Sequence, residues 1–166
     1  MILGKKNIIW DLDNTLYRIT PEFADILDEA TAIAAIEDLG VPLDFETAKA
    51  KVKESYRVYR DGGEIFVKEY GIDPKDIFLA YHKRKPVHPI VPYENLLEKL
   101  EALPCEQYIF STSTRDVCEK ILKHIGLYDF FKGRLKILTR LRKMKAPMFI
   151  CSFARGLMLI PKTAFL

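Results

Sequence analysis

Acidic residues stop at Asp129. All 23 aspartates and glutamates lie in residues 1–129, beside 17 of the 26 lysines and arginines, a net −6. Residues 130–166 hold the other nine basic side chains and no acid, a net +9. Such a tail either binds a polyanion or escapes the constraints that shape the rest of the chain. Long apolar runs are missing too. The most apolar stretch, residues 146–160, is broken by Arg155 and Gly156, which excludes a membrane-spanning helix there. Cysteine is scarce: Cys105, Cys118 and Cys151 show no paired spacing and are odd in number. That argues against a disulfide-stapled secreted scaffold and for a reducing, cytoplasmic setting. The first six residues are too short and polar for a secretory leader. No repeat or low-complexity tract occurs. What remains is ordinary: 166 residues, 49% hydrophobic and 30% charged, suited to one domain with a modest appendage.

Two short runs read as buried strands, Ile8-Ile9-Trp10 and Gln107-Tyr108-Ile109-Phe110. Between them the pattern is helical. Thr20 and Pro21 suit the N-cap and first position of a helix over residues 22–39, closed by Gly40. Asp44 caps a second helix to about Arg60, with Val52, Tyr56 and Tyr59 on one face and Asp61-Gly62-Gly63 at its end. Shorter helices are expected over residues 64–70 and 74–82. A proline-punctuated linker covers residues 86–92, then a helix 93–103. After the second strand, residues 115–124 read as a helix ended by Gly126. Lys83-Arg84-Lys85 reads as a solvated helix end, and His82, His88 and His124 as loop or surface residues. The fold class is therefore α/β, with an all-helical insert after the first strand.

The chemistry concentrates in "DLDNTLY", residues 11–17. Asp11 and Asp13 follow the first strand, where ligands bind at the carboxyl ends of a parallel sheet. Two adjacent carboxylates repel unless they share a cation or a proton. An oxygen-only pair suits Mg²⁺ completed by waters and a substrate phosphate. A carboxylate can also attack a phosphoryl group and carry it as an aspartyl-phosphate. Ser111, ending the second strand, offers a hydroxyl beside a helix start that attracts phosphate, although serine at such a place is also a common N-cap.

These residues resemble the haloacid dehalogenase superfamily. Asp11-Leu12-Asp13-Asn14-Thr15 is similar to its first motif in phosphatase form, and Ile109-Phe110-Ser111-Thr112-Ser113 to its second. Residues 125–134 resemble the segment that follows. "DLDNTLY", the helical insert and "YGIDPKDIF" are similar to the pyrimidine 5′-nucleotidase branch. The resemblance implies a Rossmann-type core from residues 1–17 and 93–134, and a helical cap over residues 18–92 that shields the site and selects substrate. Asp11 would be nucleophile and Mg²⁺ ligand. Asp13 would be general acid and then base, its carbonyl also touching the metal. Thr15 would support the loop and Ser111 hold a phosphoryl oxygen. The expected activity is Mg²⁺-dependent phosphate monoester hydrolysis, and the expected partner a small phosphorylated metabolite, in its finer form a nucleoside monophosphate. A sibling phosphomutase reaction belongs to the same chemistry.

The resemblance breaks after Arg134. The family places a lysine there that balances phosphoryl charge, and then paired acids that complete the metal site. Lys143 and Lys145 stand near the expected lysine, and no acid follows. Residues 135–166 are therefore expected to form an aberrant basic tail, poorly packed, that leaves the core incomplete and activity impaired. A shifted reading frame explains it. Joining the third base of each codon to the next two, residues 146–151 allow Pro-Asp-Val-Tyr-Leu, and residues 156–164 allow Leu-Asp-Val-Asp-Pro-Lys-Asp-Cys. On this reading the chain is a truncated copy of a longer domain. The competing expectation is a non-catalytic product whose tail binds nucleic acid or a membrane surface, with residues 135–145 as an amphipathic helix. Basic runs are more often solvated faces, so neither nucleic acid nor membrane is the expected partner.

Overall fold

A computed structural model describes residues 7–137. Lys143, Lys145 and the rest of the basic tail after Ile137 lie outside the described residues. The chain divides into two units, one from Met1–Ile19 with Ile90–Leu166 and one over Thr20–Pro89.

The first unit is built on a parallel sheet. Strand β1 (Asn7–Trp10) pairs with β2 (Glu106–Ser111), Trp10 standing opposite Ile109. Strand β3 (Leu135–Ile137) continues the sheet on the far side of β2, Ile109 opposite Leu135, giving the order β1-β2-β3 among the described residues. Parallel strands need covered faces, and the sequence supplies apolar side chains to both. Ile8, Trp10, Ile109, Phe110 and Leu135 are buried, as are Val117, Ile121 and Leu122 of helix α6 (Arg115–His124) and Phe131 of the short helix α7 (Tyr128–Phe131). Helix α5 (Leu96–Glu101) is shorter than the expected 93–103 and buries Leu96 and Leu100. Its start has Asn95 in a left-handed conformation, φ +53°.

The competing expectation made residues 135–145 an amphipathic helix. The first three of them, Leu135–Ile137, form a strand instead, and the others lie outside the described residues. The register explains it: Gly133, φ +78°, turns the chain after α7, and Leu135 then enters the buried layer beside Ile109.

The second unit is helical. Helix α1 (Pro21–Ile33) begins as expected, Thr20 Oγ1 accepting from Phe23 N at 3.2 Å with proline at the first position. It then widens into a π-helical turn over Ala34–Asp38 rather than running on as one α-helix, and closes at Gly40, φ +68°. Helix α2 (Phe45–Tyr59) is capped by Asp44, whose Oδ1 accepts from Thr47 N at 2.9 Å. Its buried face is Ala48, Val52 and Ser55. Tyr56 and Tyr59, read from the sequence as sharing a face with Val52, are exposed while Val52 is buried. Helices α3 (Glu64–Tyr70) and α4 (Pro74–Arg84) complete a core of Ala32, Ala35, Val41, Val52, Ile65, Phe66 and Ile77.

Two expectations about α4 also change. His82 is buried, its ring Nδ1 at 2.7 Å from the Phe78 carbonyl, not a surface residue. The Lys83-Arg84-Lys85 run is not simply solvated. Arg84 forms a two-pronged pair with Asp38, at 2.6 and 2.9 Å, and reaches Glu37 at 2.9 Å, while Lys85 is buried. Planar forks of this kind favour arginine over lysine.

These pairs set a pH dependence. The Arg84 guanidinium holds the Asp38 carboxyl below its ordinary value of 3.8. Lys49, then Lys53, do the same for Asp25. A carboxyl depressed in the folded state adds stability above the unfolded value, and that contribution is lost as pH falls through the lower folded value. Asp28 opposes them, because burial raises its pKa and its charge costs stability at neutral pH. Hydrogen bonds lower Glu22 and Asp44 as well, so four depressed carboxyls stand against one raised, and the helical unit is expected to lose stability as pH drops below about 3.8. Replacing Arg84 with methionine should flatten that dependence. Thermal melts across the acid range check it, and identical slopes for both proteins would refute it.

Candidate active site

The site lies in the first unit, where β1 and β2 end side by side. After Trp10 the chain makes one tight turn. The amides of Thr15 and Leu16 both donate to the Leu12 carbonyl, at 3.3 and 3.1 Å. Leu12 and Leu16, four apart, are fully buried and anchor the turn. Asn14 takes the left-handed conformation at its apex, φ +58°, and its Oδ1 accepts from Ile19 N at 3.0 Å. The turn ends where Tyr17 bridges to Pro92. Alternate residues 11, 13, 15 and 17 are thus left as the polar set.

Each has an identified partner. Thr15 Oγ1 donates to Asp11 Oδ2 at 3.3 Å. The Tyr17 hydroxyl donates to Asp13 Oδ1. Asp13 Oδ2 accepts from Ser113 Oγ at 2.9 Å, across 100 residues of sequence. The Ser113 amide donates in turn to Ser111 Oγ at 3.0 Å. Asp11 and Asp13 are half-buried, whereas Thr15, Tyr17, Ser111 and Ser113 are buried.

The structure therefore brings Asp11, Asp13, Thr15 and Ser111 into one unit at one end of the sheet. Thr15 sits in the loop with its hydroxyl on Asp11. Ser111 is not an N-cap: it ends β2, and Thr114 occupies the capping position of α6 without a side-chain bond. Tyr17 and Ser113 were missed. Their only sequence signal is the alternation of polar residues from Asp11 to Tyr17 and the hydroxyl two places beyond Ser111.

The donor set can be tested against Mg²⁺. Among the described residues no group of three histidines, cysteines, aspartates or glutamates could hold a metal. Mg²⁺, however, needs only one or two carboxylates with waters and a substrate phosphate. Both side-chain oxygens of Asp13 accept from hydroxyls. The Asp11 carboxylate is an oxygen donor of the kind Mg²⁺ takes, and the family resemblance adds the main-chain carbonyl of residue 13. This is a sparse all-oxygen set of the right hardness.

A hydrolase family model, haloacid dehalogenase-like hydrolase, matches residues 5–146, running past Arg134 to include Lys143 and Lys145. No curated protein matches the chain. Among solved structures it is similar to a putative phosphatase from Clostridium difficile, at 18% identity and a TM-score of 0.43, covering 81% of this chain and 61% of that one. A haloacid dehalogenase-like protein of unknown function from Agrobacterium tumefaciens gives 16% identity and 0.46, covering 81% and 59%. A putative hydrolase of the same family from Bacillus subtilis, solved with magnesium bound, gives 18% and 0.38, covering 81% and 65%. The chain thus spans about three fifths of the length of these solved proteins. No described helix is long and apolar enough to cross a membrane.

Proposed function

We propose, from the premise that this chain belongs to the haloacid dehalogenase-like hydrolases, that it hydrolyses phosphate monoesters through an aspartyl-phosphate on Asp11. The observation that carries the reading is the pair Asp11 and Asp13 at the end of β1, beside Ser111 at the end of parallel β2. An Asp11 oxygen attacks phosphorus, and the bond to the leaving oxygen breaks. Asp13 donates a proton to that oxygen. In the second half Asp13 takes a proton from a water that attacks phosphorus, which frees phosphate and restores Asp11. Ser111 donates to a phosphoryl oxygen throughout. Asp11 and the main-chain carbonyl of residue 13 would hold Mg²⁺, which would supply charge neutralisation at the phosphoryl group.

The finer reading is a nucleoside monophosphate substrate of pyrimidine type, with residues 18–92 as the cap that selects it, a reading supported by the compact helical unit Thr20–Pro89. Lys143 or Lys145 would balance the phosphoryl charge. The acid-free tail supports two further readings: weak metal binding with impaired turnover, and an origin in a shifted frame. The nucleotide sequence tests the latter directly, since an early stop in the alternative frame sinks it. The three unpaired-spaced cysteines support a cytoplasmic setting.

The activity test uses p-nitrophenyl phosphate and a panel of nucleoside monophosphates. Turnover is expected to vanish on chelation and return with added Mg²⁺. CMP and UMP are expected to exceed AMP and GMP by at least ~10-fold in kcat/KM, as a shape-selective pocket allows. Turnover indifferent to chelation would overturn the mechanism, and equal rates on all nucleotides would overturn the finer specificity.

A further inference from the structure

We infer that Tyr17 and Ser113 are positioning residues, which hold the acid/base carboxylate of Asp13 and tie it to the phosphate-binding hydroxyl of Ser111. The inference rests on the phosphatase reading above. Its evidence is a chain of bonds that neither the family match nor the sequence motifs assign.

Tyr17 is fully buried, and its hydroxyl donates to Asp13 Oδ1. Ser113, 3% exposed, donates from its own hydroxyl to Asp13 Oδ2 at 2.9 Å. The carboxylate is therefore gripped on both oxygens. Its terminal torsion, which is otherwise broad and roughly two-fold, is fixed by two side chains from separate parts of the unit. Ser113 does more. Its amide donates to Ser111 Oγ at 3.0 Å, so one residue contacts both the acid/base group and the phosphate-binding group. With a lone pair of Ser111 occupied by that amide, the Ser111 hydroxyl proton is what it offers a phosphoryl oxygen.

A purely structural account explains these bonds less well. Ser113 sits just before Thr114, the capping position of α6, and its side chain reaches Asp13, 100 residues away in sequence. Tyr17 already has its main chain anchored to Pro92, so its hydroxyl is not needed to pin the turn. Hydroxyls also suit a group that gives a proton in one step and takes one in the next. A hydroxyl can donate or accept, so its contact with the carboxyl survives both halves of the reaction. A lysine or a backbone amide would favour one half alone.

The test varies the need for a proton. Phenolate leaves phosphorus poorly without one, and p-nitrophenolate leaves readily. Tyr17→Phe and Ser113→Ala are compared with wild type on phenyl phosphate and p-nitrophenyl phosphate, with Mg²⁺ and the full chain. If both residues aim Asp13, kcat/KM on phenyl phosphate should fall about tenfold further than on p-nitrophenyl phosphate, a tenfold change being ~1.4 kcal/mol. Ser113→Thr, which keeps the hydroxyl, should restore the wild-type ratio. A structural defect lowers both esters alike, so equal losses, or no loss, overturn the inference while an active wild type leaves the phosphatase reading standing. A wild-type chain with no turnover above Asp11→Asn overturns the phosphatase reading and this inference with it. Should Tyr17→Phe fail to fold, the Ser113 pair decides the question alone.

Discussion

Asp11→Asn should abolish Mg²⁺-dependent hydrolysis of p-nitrophenyl phosphate, lowering kcat by at least ~10³-fold, in line with losses seen when a nucleophile is removed from a unit of cooperating residues. Asparagine has almost the same shape as aspartate. Its carbonyl oxygen can still accept from Thr15 Oγ1, which donates to Asp11 Oδ2 at 3.3 Å in the native chain. The turn should therefore persist, because its anchors are Leu12 and Leu16 and not the carboxylate. Stability is expected to stay within about 0.5 kcal/mol or to rise slightly, since one of two neighbouring negative charges is gone. What disappears is the charge that attacks phosphorus and the charge that binds the metal. Asp13→Asn gives a contrasting result. It spares the attack on an activated ester and removes the base for the second half, so turnover should fall by ~10²–10⁴-fold. Phosphorylated protein should then accumulate on acid quenching. Intact-mass measurement separates the cases: phosphoprotein in Asp13→Asn, none in Asp11→Asn. Phosphoprotein in the Asp11 variant would place the nucleophile elsewhere and end the proposed mechanism.

Asp11, Asp13 and Ser111 were legible because their positions are local. Each directly follows or ends a short apolar strand, and strand ends are where a parallel sheet binds ligands. Helix starts at Thr20 and Asp44 were legible for a similar reason, since a cap satisfies amides only two or three residues away. Contacts between distant residues were not legible. Ser113 meets Asp13 across 100 positions, and Arg84 meets Asp38 across 46. Nothing in periodicity or composition pairs such residues. The π-helical turn at Ala34–Asp38 was hidden as well, because its apolar residues read as a continuing α-helix. Leu135–Ile137 was misread for a different reason. Its basic neighbours suggested a helix face, but three residues beside a buried strand need only one apolar anchor, Leu135, to join the sheet.

Trp10→Ala should destabilise the sheet unit by ~3–5 kcal/mol from the cavity alone. Trp10, the sole tryptophan, ends β1 at 3% exposure. Its indole N–H donates to Gln107 Oε1 at 2.9 Å, and Gln107 Nε2 donates to the Leu100 carbonyl at 2.6 Å. This buried relay joins β1, β2 and α5 through one side chain. Removing the indole leaves Gln107 Oε1 buried without its partner, which adds ~1–3 kcal/mol. Whole domains are stable by only ~5–15 kcal/mol, so the variant consumes most of the margin of a unit whose described sheet has three short strands. Trp10→Phe keeps much of the volume and loses only the hydrogen bond, so it should cost less than half as much. Hydrogen exchange locates the damage. Amides of Ile8 and Ile109 should lose protection in Trp10→Ala, whereas those of Val52 and Phe66, in the core of the helical unit, should keep theirs. Equal loss in both units would mean that they melt as one body, and a cost below about 1 kcal/mol would mean that the relay holds nothing. The same strand end carries Asp11, so unfolding here removes the nucleophile's support at once. Trp10→Ala is therefore expected to lose activity as completely as Asp11→Asn, but by melting rather than by chemistry, and cooling or a stabilising osmolyte should recover part of it only in the tryptophan variant.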